Sequence, residues 1–321
     1  MFGKIKTLLS QLLDRPQKNH KAVAPVAEDA KPAIPSVEAA PEPKPKKIAA
    51  PLASADDPIW AGTRIDIAQE IWGDGFCSPG GLDFTLSLAK HFSPLESGMS
   101  FADMNANLGG AMTAIGKKYN LTVHGYESYE PLLRAGQDYL KRADALNMPL
   151  KHYHPDKVIL PKDAYDCVLI REFLFQVEHQ EAFLNKVCDS LKDRGQLLIT
   201  DFVREKDGAP SGRFNEWVDM ESRTPYVLSL DGTLDMLKKR NDMEVRAADN
   251  ISKKYIKEIT VGWKKYLDKI VEDLPDPSYL PWLLREVTLW AKRIEILQSG
   301  EVALYRIYAR RKPAMERKKT P

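Results

Sequence analysis

The chain has 321 residues, a formal net charge of +2 and 43% hydrophobic residues, enough for one large or two small domains with a substantial core. The near-neutral charge gives no general argument for a nucleic-acid partner. Three cysteines, Cys77, Cys167 and Cys188, form an odd set without CxxC spacing, which argues against disulfides and against a metal site.

Residues 1–18 are predicted to form a basic amphipathic helix, because their apolar side chains fall on one helical stripe beside two lysines: Phe2, Ile5, Leu9, Leu12 and Leu13, with Lys4 and Lys6. Such a helix could contact a membrane peripherally, dock on a partner protein, or fray. No run is long enough to span a bilayer and no secretory signal is visible, so a cytoplasmic location is expected, with the inner face of a membrane as a further option.

Residues 19–57 change to a Pro-, Ala- and Lys-rich composition without periodicity, which predicts a disordered linker. Residues 58–312 then alternate apolar strands with amphipathic helices, which predicts an α/β domain with a parallel sheet. Helical lid insertions are expected at about 204–242 and 250–300, and residues 313–321 form a basic tail.

Five strands and three helices are predicted for the parallel part of this domain. The strands lie near Ser100–Met104, Thr122–Tyr126, Lys151–Tyr153, Tyr165–Ile170 and Gln196–Asp201, and the helices around Gly110–Tyr119, Glu130–Asn147 and His179–Leu191. The closing elements are the strand Met243–Ala248, the helices Ile256–Asp273 and Tyr279–Leu297, and the strand Ala303–Arg310. This order predicts the doubly wound, Rossmann-like sheet of a class I methyltransferase.

The segment MSFADMNANLGGAMTAIGKKYNLTVHGYE, residues 99–127, reads as strand, loop, helix and a second strand ending in an acid. Asp103 closes the first strand, Gly109 and Gly110 let a helix start close to a ligand, and Glu127 follows where a carboxylate can accept ribose hydroxyls. Asn105 and Asn107 stand where such loops carry glycine, and asparagine tolerates positive φ best among the other residues. An α/β domain whose loop binds nothing is the alternative.

Several segments resemble the phosphoethanolamine, or phosphobase, methyltransferases in order and spacing, over roughly residues 60–312. They are IWGDGFCSPGG, FADMNANLGG, HGYES, YDCVLIREFLFQ and LKDRGQLLITDF, followed by RFNEWVDMESRTPY, LDMLKKRNDMEVRAADNIS, GWKKYLDKI and SGEVALYRIYARRK. The WGxGFxSPGG-type segment is the more restrictive of these motifs. The resemblance implies S-adenosylmethionine as cofactor.

Carried over by position, the resemblance implies that Asp103, Gly109 and Gly110 line the methionine end of S-adenosylmethionine and that Glu127 holds its ribose. Ser78 and Gly80 would close over the sulfonium side. For the adenine, Asp156 is a candidate and His154 is equally placed. Arg171 and Glu172 follow the fourth strand at the edge where ligands bind in open α/β sheets, or form a local ion pair.

The resemblance also implies acceptor-binding residues, with departures. Trp60 and Gln176 stand where the family has a tyrosine and a histidine that bind and deprotonate the amine, and neither side chain titrates near neutral pH. Trp60 could offer a cation–π face or only cover an apolar gap. For a phosphate, Arg223, Tyr226 and Lys312 are the candidates, although one residue is inserted between Arg223 and Tyr226; a surface role for this arginine is the alternative.

The resulting hypothesis is S-adenosylmethionine-dependent methyl transfer to a small amine-containing or phosphorylated acceptor, with a lipid head group as one option. Methyl transfer can proceed by alignment if the nucleophile arrives deprotonated. The alternative is a catalytically degenerate cofactor-binding protein with an assembly or regulatory role. A nicotinamide-dependent dehydrogenase is weaker, since no second phosphate cradle is visible.

Overall fold

The computed structural model describes residue 60 and residues 62–92, 94–272 and 276–317. The predicted N-terminal helix, the whole of the linker and residues 318–321 of the basic tail lie outside these ranges. Among the helices of the described ranges, none is long and apolar enough to cross a bilayer.

Seven strands form one sheet in the described residues: β1 Ser100–Asp103, β2 Thr122–Glu127, β3 Leu150–His152, β4 Tyr165–Arg171, β5 Leu191–Arg204, β6 Met243–Asn250 and β7 Val302–Arg311. Their order is β3-β2-β1-β4-β5-β7-β6. Strands β1 to β5 pair in parallel, whereas β7 is antiparallel to both β5 and β6. The predicted parallel core is therefore present, and the structure shows that the two closing strands pair antiparallel to each other.

The helices are α1 Gly62–Trp72, α2 Gly81–Ala89, α3 Gly110–Tyr119, α4 Glu130–Arg142, α5 Gln180–Ser190, α6 Gly212–Val218, α7 Leu230–Lys238, α8 Ser252–Glu272, α9 Leu280–Ser299 and α10 Ala314–Arg317. Helix α3 has the predicted bounds, and α4 ends five residues earlier than expected, because Arg142 is followed by a turn that includes Asp144 at positive φ.

Two apolar layers cover the sheet, one on each face. Alternate residues of the central strands enter different layers: Leu169 and Leu198 pack with α1–α4, α8 and α9, whereas Val168 and Leu197 pack with α5 and α7. This period of two is what a sheet with helices on both faces requires.

The carboxyl ends of the parallel strands meet at one edge of the sheet. Asp103 ends β1, Glu127 ends β2 and Arg171 ends β4, and Arg171 is level with Thr200 of β5. Because β7 runs in the opposite direction, its carboxyl end lies at the other edge. The fold thus gathers the predicted cofactor residues in one place and separates them from residues that follow β7.

Candidate active site

A tight glycine turn starts α3 at the carboxyl edge. Gly109 has φ 88°, a left-handed conformation that disfavours other residues, and Gly110 donates its amide to the carbonyl of Gly75 at 2.9 Å. A Cβ on residue 110 would lie 2.3 Å from that carbonyl oxygen. The turn is therefore packed directly against the loop that follows α1.

Asp103 carries a buried oxygen with no protein partner. Its Oδ1 accepts the amide of Asn105 at 3.2 Å, while Oδ2 is buried and has no hydrogen-bond donor among the described residues. Burial raises the pKa of Asp103 to about 6. Since an unsatisfied buried acceptor is costly, Asp103 is suited to a donor supplied by a ligand.

Glu127 is fully buried and joins the β1–α3 loop to the end of β2. Its Oε2 accepts the amide of Asn107 at 2.8 Å, and its Oε1 accepts the amides of Ser128 at 2.8 Å and Tyr129 at 2.7 Å. Burial raises its pKa to about 7. A carboxylate has about four acceptor positions, so three amides leave capacity for one further donor.

The two loop asparagines differ in backbone conformation. Asn107 has φ 50°, as the left-handed prediction requires, but Asn105 is not among the residues with positive φ, so the prediction is wrong for Asn105. Its side-chain Nδ2 instead donates to the backbone carbonyl of Arg171 at 2.9 Å, which links the loop to the end of β4. The side-chain Nδ2 of Asn107 donates to the backbone carbonyl of Asn105 at 2.8 Å.

Arg171 ties three segments together at the end of β4. It donates to Glu172 at 3.1 Å, to Thr85 of α2 at 2.9 Å and to the carbonyl of Pro79 at 2.8 Å. Of the two roles considered for it, this geometry favours the ion pair with Glu172. Glu172 adopts φ 48° and also accepts a hydrogen bond from Tyr255 at 3.1 Å.

Asp201 holds the loop that follows Glu172. Its Oδ2 accepts the amides of Phe173 at 3.1 Å, Leu174 at 2.5 Å and Phe175 at 3.3 Å. Burial raises the pKa of Asp201 to about 8. The loop leading to Gln176 is thereby fixed against β5.

A cavity opens at this edge between the strand ends and the helices α1 and α9. Five of the predicted site residues line it: Trp60, Ser78, Asn105, Arg171 and Gln176. One face of the Trp60 ring is already covered by the guanidinium of Arg64, whose Cζ lies 4.0 Å from the ring centroid. Gly80 lies nearby, with φ 79° immediately before α2.

Arg223 lies close to Glu127 and does not line the cavity. It donates to the Ser128 hydroxyl at 3.2 Å, and its Cζ lies 4.0 Å from the Tyr129 ring centroid. Tyr226 is also outside the cavity, anchored through its backbone to Phe175 and Gln180. Asp156 is exposed after β3, with a carboxylate oxygen 3.8 Å from His154 Nδ1.

The assignment of Lys312 to the acceptor site is wrong. Lys312 follows β7, and Arg306 is the β7 residue paired with Thr200, level with the end of β4. Six extended residues separate Lys312 from that level, roughly 20 Å along the strand toward the opposite edge. It lines a separate basic depression there with Arg194 and Arg310.

Sequence reasoning missed most of the charged lining of the cavity. The missed residues are Arg64, Glu221, Glu286 and Arg293, and Glu172 was noted only beside Arg171. A signal for two of them exists in α9, where Glu286 and Arg293 fall on the same buried face as Val287 and Trp290. Charged residues on an apolar helix face are seldom buried unless paired, so this face indicates an internal ion pair.

Sequence comparison finds two methyltransferases among the relatives of this chain. It is 23% identical over 234 residues to phosphoethanolamine N-methyltransferase 2 of Caenorhabditis elegans, covering 70% of this chain and 52% of that protein. It is 22% identical over 215 residues to phosphoethanolamine N-methyltransferase 3 of Arabidopsis thaliana, covering 66% and 42%. The chain thus spans about half the length of these relatives. No family model matches it.

Solved structures give the same fold. Phosphoethanolamine N-methyltransferase 2 of Haemonchus contortus, in complex with phosphomonomethylethanolamine and S-adenosylhomocysteine, aligns with a TM-score of 0.66 at 21% identity, covering 78% of this chain and 57% of that one. A sarcosine dimethylglycine methyltransferase, described as putative, from Galdieria sulphuraria aligns with a TM-score of 0.62 at 15% identity, covering 78% and 97%. This chain has the Rossmann-like fold of class I methyltransferases and resembles the phosphoethanolamine N-methyltransferases in sequence.

Proposed function

We propose that the protein binds S-adenosylmethionine and transfers its methyl group to a small amine. The observation that carries the proposal is Asp103, whose buried Oδ2 lacks a partner among the described residues beside the Gly109–Gly110 turn. An ammonium donor at that oxygen would satisfy it, and the methionine portion of the cofactor carries one. The residues present therefore fit the cofactor.

Glu127 and the loop around Asn107 would hold the ribose, since Glu127 retains capacity for a hydroxyl donor. When bound, S-adenosylmethionine supplies an electrophilic methyl group on a cationic sulfur. The names of the sequence relatives support methyl transfer, and nothing in them favours a binding protein without catalysis.

The cavity beside this loop is suited to orient an amine. Gln176 and Trp60 line it without offering a titratable base, and Glu172 presents a carboxylate at the end of β4. A carboxylate can accept an N–H of the neutral amine and leave the nitrogen lone pair free to attack the methyl carbon, with S-adenosylhomocysteine as the leaving group and the extra proton passing to water. Alignment of that nitrogen supplies much of the rate enhancement in such a transfer. In this proposal Glu172 is the residue that orients the acceptor nitrogen.

Calorimetric titration with S-adenosylhomocysteine tests cofactor binding directly. We expect Asp103→Asn to weaken binding by about 10-fold to 100-fold, the range for loss of a hydrogen bond to a charged group. Asp138→Asn, on the exposed surface of α4 where Asp138 pairs with Lys141, is the matched control and should bind like the unmodified protein. Absence of binding by the unmodified protein would refute the proposal.

Detection of S-adenosylhomocysteine formed in the presence of a panel of small amines tests the transfer itself. Glu172→Gln should lose turnover, because the amide keeps the shape of the side chain but not its charge, and calorimetry with S-adenosylhomocysteine on the folded variant separates this loss from any effect of the unpaired Arg171 on cofactor binding. Equal turnover by this variant would exclude Glu172 as the orienting group.

A further inference from the structure

The charged residues that line the cavity form three buried pairs, each of one arginine and one glutamate. Arg171 and Glu172 are joined at 3.1 Å, and Arg293 meets Glu221 through two bonds of 2.7 Å. The third pair joins Arg64 to Glu286. Formal charges in the described lining therefore balance.

Each glutamate of these pairs also accepts a hydrogen bond from an aromatic side chain, which restrains the geometry of the pair. Glu221 accepts the indole N–H of Trp217 at 2.6 Å, and Glu286 accepts that of Trp290 at 3.1 Å. The Arg293 guanidinium also lies over the Trp290 ring, with Cζ 4.6 Å from its centroid. A ligand that takes one of these arginines would leave a buried glutamate without its partner, which is strongly unfavourable.

The side chains that were expected to bind phosphate do not supply the missing cation. Arg223 is stacked on Tyr129 beside the cofactor acid, Tyr226 is outside the cavity, and Lys312 is at the opposite edge of the sheet. A phosphomonoester carries about −1.5 to −2 charges at pH 7. In the described lining of the cavity, each arginine is already paired with a glutamate and is therefore not reserved for a phosphate group.

We propose that the methyl acceptor is a small amine without a phosphate group and without net negative charge, such as an amino alcohol or an amino acid zwitterion. This inference rests on the proposed methyl transfer and narrows its substrate class. A neutral or zwitterionic amine can place its nitrogen against Glu172 and leave the three pairs intact. The phosphorylated acceptor and the phosphate-bearing lipid head group are thereby disfavoured.

The test compares turnover of matched pairs of amines at pH 8: ethanolamine with phosphoethanolamine, and monomethylethanolamine with its phosphate ester, together with sarcosine and dimethylglycine. We expect kcat/KM for at least one unphosphorylated amine to exceed that of both phosphate esters by about 10-fold or more, a discrimination typical of a site with unmatched polar groups. Equal or better turnover of a phosphate ester would overturn the inference and leave methyl transfer standing. No turnover of any amine, with S-adenosylhomocysteine bound, would refute methyl transfer to a small amine, and the inference with it.

A variant that removes one negative charge from the cavity lining tests the role of charge balance directly. Glu221→Gln keeps an acceptor for Trp217 and removes the counter-charge of Arg293, so the preference against phosphate esters should narrow by about 10-fold. Glu216→Gln, which removes the exposed partner of Lys292 from the neighbouring helix α6, is the control and should leave the ratio unchanged. An unchanged ratio in a folded Glu221→Gln protein would contradict the role of charge balance; if that variant does not fold, the comparison of amines with the unmodified protein decides.

Discussion

The backbone amide of Asn107 donates to Oε2 of Glu127 across 2.8 Å, which joins the β1–α3 loop to the acid at the end of β2. This hydrogen bond therefore fixes the position of the loop relative to Glu127, the acid that we expect to hold the ribose. A change at Glu127 affects both the ligand contact and the path of the loop.

Replacing Glu127 by Ala should weaken S-adenosylmethionine binding by about 1.5–3 kcal/mol, the range for a lost hydrogen bond to a charged group. Calorimetry on protein shown to be folded by its melting curve measures the effect. Glu130→Ala, which removes the Arg134 partner at the start of α4, is the control. Unchanged affinity in a folded Glu127→Ala protein would remove Glu127 from the site.

Cofactor affinity should increase with pH between about 5.5 and 8, because hydroxyl and ammonium donors bind the ionised carboxylates. The pKa of Asp103 is raised to about 6 and that of Glu127 to about 7 by burial. At a pH below its pKa, each group must lose a proton before the cofactor binds. This lowers the affinity by up to about tenfold per pH unit and per group. Titrations with S-adenosylhomocysteine at several pH values would show it; a flat profile contradicts it.

Stability of the ligand-free protein should change in the opposite direction. Burial raises the pKa of both carboxyls in the folded protein above their ordinary values of 3.8 and 4.5, so the folded state binds more protons than the unfolded state between the ordinary and the raised pKa of each group. Their contribution to the free energy of unfolding is therefore greatest at low pH and is lost as pH rises to about 7. Urea unfolding of the unmodified protein and of Asp103→Asn should show a shallower decline in the variant.

The loop asparagines should respond differently to glycine. Asn105→Gly removes the bond to the Arg171 carbonyl and should lower the free energy of unfolding by about 1 kcal/mol. Asn107→Gly also loses one hydrogen bond, to the Asn105 carbonyl, but it relieves the φ 50° conformation, so its effect should be smaller and cofactor binding should persist. Urea unfolding of the two single variants decides the order, and a larger loss for Asn107→Gly would contradict it.

Removal of residues before Asp56 should leave the melting temperature and cofactor affinity nearly unchanged, because the segment is predicted not to pack against the domain. If the predicted helix is an interfacial anchor, the same deletion should reduce sedimentation with anionic vesicles at low salt, since such helices bind marginally and with salt sensitivity. Equal sedimentation of both proteins would exclude the membrane role. A soluble acceptor is consistent with either result.

Hydrophobic periodicity predicted all seven strands of the sheet, because buried strands bounded by polar turns have a local signature. Helices α1 and α2 were not predicted. Helices α6 and α7 lie within the helical lid insertion expected at about 204–242, but their bounds were not predicted, because α6 is only seven residues long and both begin at serine caps whose context is ambiguous. Strand ends also placed Asp103 and Glu127 correctly at one edge. The pairing of Arg293 with Glu221 could not be predicted, since it joins residues 72 positions apart through tertiary packing.

The resemblance was least informative at Lys312, where position in the chain does not reveal strand direction. A residue just beyond a strand can lie at either edge of the sheet, and only the antiparallel pairing of β7 decides between them. The same limitation applies to Arg223, whose stacking on Tyr129 depends on the path of an irregular segment.

Glu172 holds a left-handed backbone that a glycine would adopt without strain. Glycine would relieve a backbone cost of about 1 kcal/mol, but it would leave the buried Arg171 guanidinium without its carboxylate partner, which costs about 3–5 kcal/mol. The Glu172→Gly protein should therefore be less stable than the unmodified protein. The unusual backbone at Glu172 is thus maintained by the tertiary contacts of its side chain and not by local conformational preference.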